Sequence, residues 1–212
     1  MEKDLISIVI PVYNQVRELE QALISIKDQT YKNIEIIIEE DKQHEGAPVM
    51  RNRGLARARG EYIIFWDADI VAVPKMLEEL YQALKNNPEV SFAYCDYYFK
   101  NKKMPSKKFA IETLRKNNYI HSTSLIRRKA AIKWDENLKR FQDWDLWLTM
   151  IKKGETGIYV PKILFTIIAQ GTISTWLPSF AYKKPWKYLP GFRKKVKKYE
   201  KAKNIIIKKH RL

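Results

Sequence analysis

The sequence predicts an α/β fold: a mostly parallel central sheet with helices on both faces, followed by a basic helical tail. Three observations predict it. Apolar, β-branched runs alternate three times with helix-periodic segments within the first ninety residues. Acidic residues stand directly after two of those runs, at Glu40-Asp41 and at Asp67/Asp69. Basic residues crowd the end of the chain: residues 182–212 hold 13 Lys or Arg against one acid, which is +12 of the formal +16.

Residues 5–10, Leu-Ile-Ser-Ile-Val-Ile, read as a buried parallel strand that Pro11 ends. Leu19, Ala22, Leu23 and Ile26 recur at helical spacing and predict an amphipathic helix over residues 15–27. Residues 34–38 form a second strand. A helix follows over 49–59, with Gly60 as its C-cap. Residues 61–66 are a third strand that runs into Asp67-Ala68-Asp69, and Pro74 opens a helix whose inner face is Leu77, Leu80, Tyr81 and Leu84. Beyond Val90 the rhythm loosens: strands are expected over 92–98, 119–126 and 156–169, and a helix over 143–152. With no internal repeat and no Gly/Ser linker, residues 1–175 are expected to form one domain and 176–212 a tail.

Composition narrows the classes. The single cysteine, Cys95, excludes an internal disulfide and a thiolate metal cluster, which suits the reducing cytoplasm. The N-terminus carries no signal-peptide pattern, and apolar runs such as Ile163-Leu164-Phe165 are too short to span a bilayer.

In open α/β sheets, ligands bind outside the carboxyl ends of the strands, so Glu40-Asp41 and Asp67/Asp69 are expected to face one crevice. Two aspartates one residue apart on a turn suit a hard cation, Mg²⁺ or Mn²⁺, bridging protein carboxylates and substrate phosphates. One such aspartate could merely cap the next helix; two after a buried strand exceed that need. A third cluster, Asp143-Trp144-Asp145, opens a predicted helix. There Asp143 reads either as a cap or as a general base beside an attacking hydroxyl.

The motifs add a resemblance. Residues 7–14 (Ser-Ile-Val-Ile-Pro-Val-Tyr-Asn), 28–36 (Asp-Gln-Thr-Tyr-Lys-Asn-Ile-Glu-Ile) and 50–56 (Met-Arg-Asn-Arg-Gly-Leu-Ala) resemble, in order, segments of the family 2 glycosyltransferases of GT-A fold. Gly60-Glu61-Tyr62-Ile63 before Asp67-Ala68-Asp69, then Trp134-Asp135-Glu136-Asn137-Leu138 and Asp143-Trp144-Asp145-Leu146-Trp147, continue the likeness to about residue 160.

The resemblance implies a GT-A fold and the inverting transfer of a single sugar from a nucleotide sugar, UDP-linked first, to a saccharide or lipid-linked acceptor in cell-envelope or surface polysaccharide synthesis. It implies that Pro11, Val12, Tyr13 and Asp41 hold the base with Glu40 beside it. Arg51, Asn52 and Ala68 line the donor pocket. Asp67 contacts the ribose side and shares the divalent metal, Mn²⁺ or Mg²⁺, with Asp69. Asp143 is the base, and His121, Trp144 and Asp145 fall on the acceptor side. The chain departs from the family pattern at Lys42-Gln43, where Gly-Ser is usual. It departs again at 167–171, Ile-Ile-Ala-Gln-Gly, where the family carries Arg-x-His. A polyprenyl-phosphate sugar synthase ranks second, because Ile70-Val71-Ala72-Val73-Pro74 replaces that group's Leu-Gln-His-Pro. A degenerate, non-catalytic nucleotide-binding module is the remaining rival.

In the tail, Trp176, Phe180, Trp186, Tyr188 and Leu189 precede Phe192, Val196, Tyr199, Ala202 and Ile206 at helical spacing among lysines. That pattern suits an interfacial helix on an anionic membrane, placing the chain peripherally on the inner face. A nucleic-acid patch is disfavoured because the crevice is acidic. A lysine-rich helix packed on its own domain is the plain alternative.

Overall fold

The computed structural model describes residues 1–168, 185–186 and 189–212. Their eight strands form one sheet in the order β2-β1-β3-β7-β5-β8-β4, with β6 on β5. The strands are β1 (Glu2–Val12), β2 (Ile34–Glu40), β3 (Gly60–Phe65), β4 (Ile70–Ala72), β5 (Phe92–Phe99), β6 (Lys102–Met104), β7 (Leu125–Arg127) and β8 (Gly157–Ile167). The helices are α1 (Val16–Lys27), α2 (Ala47–Arg57), α3 (Met76–Lys85), α4 (Ile111–Lys116), α5 (Gln142–Lys152) and α6 (Pro190–His210). β1 runs parallel to β2 and β3, and β5 runs parallel to β8; the remaining pairs are antiparallel.

The apolar runs of β1 and β3 are continuous rather than alternating because both faces of the sheet are covered there, whereas the edge strand β2 leaves Ile36 and Ile38 exposed. Ile6, Ile8, Ile10, Tyr62, Ile64, Ala93 and Cys95 point into one core layer, with Ala22 and Ile26 of α1 and Leu77, Leu80 and Leu84 of α3. Val9, Ile63, Phe65, Phe92 and Tyr94 point into the other, which α5 closes with Trp144, Trp147 and Leu148. Helix α2 lies so close to β1 that a Cβ on Gly54 would stand 2.3 Å from a methyl of Val9.

Three expectations are corrected. Gly60 is no helix C-cap: α2 ends at Arg57, and Gly60 opens β3, where a Cβ would meet the Leu5 carbonyl oxygen at 2.5 Å. The strand expected over 119–126 shrinks to β7; residues 119–124 are irregular, with short hydrogen bonds such as Ser124 Oγ to His121 O (2.7 Å) replacing a ladder. The tail helix does not hold its apolar stripe out for a bilayer. Val196 and Ile206 are buried, and Tyr199 packs edge-on against Phe141 at 5.1 Å. The boundary at 175/176, together with Ala169, Gln170, Gly171, Trp176, Phe180 and Tyr188, lies outside the described residues. Among the described residues no helix is long and apolar enough to cross a membrane.

Candidate active site

A cavity of about 390 Å³ opens at the carboxyl ends of β1, β2 and β3, where the acidic clusters were expected to meet. Pro11, Val12, Tyr13, Asp41, Arg51, Asp67, Ala68, Asp69 and His121 all line it. The parallel ladder sets this up. Asp41 N–H donates to Val12 O and Trp66 N–H to Val9 O, both at 2.8 Å, so the three strand ends are held side by side as the chain leaves the sheet.

At one end of the cavity, Asp41 is buried and its carboxylate accepts the amides of Glu45 (2.9 Å) and Gly46 (2.7 Å), which shapes the loop into α2. That loop carries His44, which lines the cavity and meets Tyr13 with 2.8 Å between the hydroxyl and Nε2 and 4.4 Å between ring centroids. No spacing rule in the sequence marks His44; it enters through the loop's path, with φ at +58°.

At the centre, Arg51 is buried and ties three segments together. One guanidinium nitrogen donates to Asp67 Oδ1 (2.6 Å) and another to Gln142 Oε1 (3.2 Å), while the guanidinium stacks 4.5 Å above the Trp134 ring. Its buried Nε has no partner among the described residues. Burial alone would raise the Asp67 carboxyl. The charge of Arg51 and the hydrogen bonds from Arg51 and Ser122 outweigh it, so Asp67 is held below the ordinary carboxylate range. Asp69 goes the other way: burial, with the Asp67 charge beside it, pushes its carboxyl up to about 7. Neither aspartate caps α3, which starts at Met76 behind Lys75.

This asymmetry bears on a metal. Among the described residues no cluster of three or more His, Cys, Asp or Glu could hold an ion alone. Asp67 is committed to Arg51, whereas no side chain is seen donating to Asp69. One available carboxylate beside a second acid fits a cation held jointly by protein and substrate phosphates, as Mg²⁺ and Mn²⁺ commonly are.

On the far wall, His121 sits between the rings of Tyr97 (4.9 Å) and Phe165 (5.2 Å). Thr123 N–H donates to its Nδ1 at 3.0 Å, leaving the proton of the neutral ring on Nε2. Burial lowers its pKa to about 4, so it is neutral at pH 7. Phe99 and Ile167 complete this wall, and Ile167 opens the segment that departs from the Arg-x-His pattern.

Asp143 is not among the residues that line the cavity; it lies in the first turn of α5, next to the Gln142 that reaches Arg51. It is no N-cap; that position is Phe141, in a left-handed conformation. Its Oδ2 accepts from Asn118 Nδ2 (2.7 Å) and its Oδ1 from the Trp144 amide (2.9 Å). Burial is the largest influence and raises its pKa, with the charge of Asp67 adding to it, against the opposing pull of the Trp144 amide and Arg51.

Four residues expected at the site are turned elsewhere. Glu40 is exposed and pairs with Lys42 at 3.2 Å. Asn52 locks α2 to the 134–136 loop, accepting from Trp134 N–H (2.8 Å) and donating to Trp134 O (3.0 Å) and Glu136 (2.8 Å). Trp144 is core, its indole donating to Leu114 O at 2.7 Å. Asp145 is buried against α6 and bound by Lys209 (2.8 Å) and His210 (2.6 Å).

The profile of glycosyl transferase family 2 matches residues 7–50 and 40–137, which is more than half of the chain and carries β1, α2 and the Asp67–Asp69 turn. The chain belongs to glycosyl transferase family 2. This family 2 chain is 28% identical to an uncharacterized glycosyltransferase of Methanocaldococcus jannaschii, over 71% of this chain and 66% of that one. Its fold matches Staphylococcus aureus TarS 1-349 in complex with UDP-GlcNAc (TM-score 0.68, 15% identity, 82% of this chain and 62% of that one). It also matches the mannosyltransferase PcManGT of Pyrobaculum calidifontis in complex with GDP-Man and Mn²⁺ (TM-score 0.59, 16% identity, 79% and 58%). These likenesses establish the GT-A fold. The chain spans under two thirds of each of the three proteins.

Proposed function

We propose that this chain transfers one sugar from a nucleoside-diphosphate sugar, UDP-linked first, to an acceptor hydroxyl on a saccharide or lipid-linked carrier, with inversion and with a divalent cation at Asp69. The observation that carries this reading is a single cavity bounded by three differently tuned groups. It has a loop-organising Asp41 at one end and a charge-paired Arg51–Asp67 at its centre with the proton-holding Asp69 beside it; Asp143 stands behind that lining, near enough to feel the charges of Arg51 and Asp67.

Tyr13, beside His44, offers a flat ring at the base end, and the shaped 41–46 loop offers backbone groups for the base edge. Arg51 positions the ribose side through Asp67. When bound, a divalent cation would neutralise charge on the departing nucleoside diphosphate. Asp69 would give up its proton to hold it. Asp143 has both oxygens oriented by donors from Asn118 and the Trp144 amide, and its raised pKa suits it to take a proton from the acceptor hydroxyl. A single displacement from the face opposite the leaving group inverts the anomeric centre. His121, neutral with Nε2–H free to donate, borders the acceptor side of the cavity.

Calorimetric titration of the chain with UDP and GDP, each with Mn²⁺ and with chelator, tests this reading. Mn²⁺-dependent binding of one diphosphate, abolished by Asp69→Ala, is expected. Binding of neither diphosphate, or binding indifferent to Mn²⁺ in both proteins, overturns it.

A further inference from the structure

The outward face of α6 fits a partner that the cavity does not involve. Helix α6 runs for 21 residues, about 31 Å at 1.5 Å per residue. Its inner face is spoken for: Val196 and Ile206 are buried, Tyr199 meets Phe141, and Lys203 reaches Asn117 Oδ1 at 3.4 Å. Lys209 bridges Asp135 and Asp145, and His210 closes on Asp145. Opposite them, at positions 193, 194, 197, 198, 201 and 208, stand one Arg and five Lys, all exposed. Helical geometry places these six on one stripe centred on Lys201, and Glu200 is the helix's single acid. Three apolar side chains border that stripe at solvent level: Ile205 on the outward face (48% exposed), and Leu189 (44%) and Trp186 (45%) at its N-terminal end.

We propose that this stripe docks the chain on an anionic phospholipid surface, by charge and without insertion of the helix. Docking of the apolar face on the domain excludes the mode in which an amphipathic helix buries that face among acyl chains. What remains outward is a straight cationic line with a Trp and two aliphatic side chains at its border, which suits a planar anionic surface with shallow apolar contact. A nucleic acid would ask for a groove or for rings to stack on, and the outward stripe itself carries no ring. Helix α6 rests on residues 135, 141, 144 and 145, and among the described residues none of its side chains lines the cavity. The docking itself does not depend on the catalytic reading.

The test is co-sedimentation of the full chain with vesicles of equimolar phosphatidylglycerol and phosphatidylcholine, and with pure phosphatidylcholine. The stripe variant carries Lys194→Gln, Lys197→Gln, Lys198→Gln and Lys201→Gln. A charge-matched control carries Lys27→Gln, Lys75→Gln, Lys129→Gln and Lys153→Gln, and Lys201→Glu alone is the minimal probe. Each lysine near an anionic surface contributes about fivefold in affinity. The stripe variant, four lysines short, is therefore expected to bind the anionic vesicles roughly 600-fold more weakly than the parent. Lys201→Glu, a change of two charges, should weaken binding by about 25-fold and the control much less, and added salt should release the parent. Three results overturn the proposal: equal loss in stripe and control variants, equal binding to pure phosphatidylcholine, or duplex RNA bound by the parent while anionic vesicles are not.

Discussion

The first turn of α5 holds two aspartates two residues apart, and the helical twist sends them to opposite faces of the helix. Asp143 is oriented by Asn118 and the Trp144 amide, and among the described residues no cationic side chain is bonded to it. Asp145 faces α6, where Lys209 and His210 close on it and bury it. One carboxylate is met by neutral donors alone; the other is consumed in holding the tail. The difference shows that reactivity here is allotted by neighbours rather than by residue type. An unpaired buried carboxylate is costly and therefore protonatable, whereas a clamped one is structural.

The largest expected effect separates the pair directly. Asp143→Asn keeps the shape but cannot accept a proton at neutral pH, so transfer should fall by roughly 10²–10⁴ with nucleoside-diphosphate affinity nearly unchanged. Asp145→Asn should leave transfer within a few-fold of the parent. A transfer assay on both variants with one acceptor decides the matter, and a larger loss in Asp145→Asn would reverse the assignment.

The next effect extends the comparison to Asp69, the other acid that binds a proton more tightly in the fold than its ordinary value allows. Its pKa of about 7 exceeds the unfolded value of 3.8, so the folded chain holds this proton more firmly than the unfolded one. The metal-free protein should therefore lose stability as pH rises from about 4 to about 7 on account of this group, and Asp69→Asn should remove that slope. Cation binding must displace the same proton. Mn²⁺-dependent nucleotide affinity should fall by about tenfold per pH unit below 7. Calorimetry at pH 5.5 and pH 8 measures this, and equal affinities at the two values would assign the cation to other ligands.

The smallest effect sharpens the structural side. Asp145→Ala removes the buried partner of His210 and one of the two carboxylates that hold Lys209, which keeps Asp135; breaking a fully buried ion pair costs roughly 3–5 kcal/mol. Lys209 is partly exposed, so a value at or below the lower end is expected, lowering the melting temperature by several degrees. Protease cleavage within α6 should quicken in parallel. An unchanged melting curve would mean that α6 is held by its other contacts, Val196, Ile206, Tyr199 on Phe141 and Lys209 on Asp135, without help from Asp145.

Much of the cavity was legible before any coordinates. Residues 5–10 and 61–66 are largely apolar without alternation, which marks strands covered on both faces; β2 beside them is an edge strand whose Ile36 and Ile38 stay exposed, and parallel strands put their carboxyl ends together. Asp41, Asp67 and Asp69 follow those ends within a residue or a few, so their meeting was dictated by local chain geometry, and so was the place of Pro11, Val12 and Tyr13. The short hairpin of β5 and β6 and the irregular run at 119–124 were hidden because their backbone groups are satisfied by turn and side-chain bonds that leave no periodic trace.

By itself the sequence determined which segments are buried, where the sheet ends, and that a family 2 transferase cavity stands there. Only the tertiary structure decided how individual polar side chains are spent. Asn52 is taken by Trp134 and Glu136, 82 and 84 residues away; Asp145 by Lys209 and His210, 64 and 65 away; Tyr13 meets a histidine 31 away. Hydrophobic burial depends on a residue's own character and its periodicity, which a chain displays locally. The fate of a carboxylate or an amide depends on the one partner that packing brings within 3 Å, and that partner is named only when the layers close.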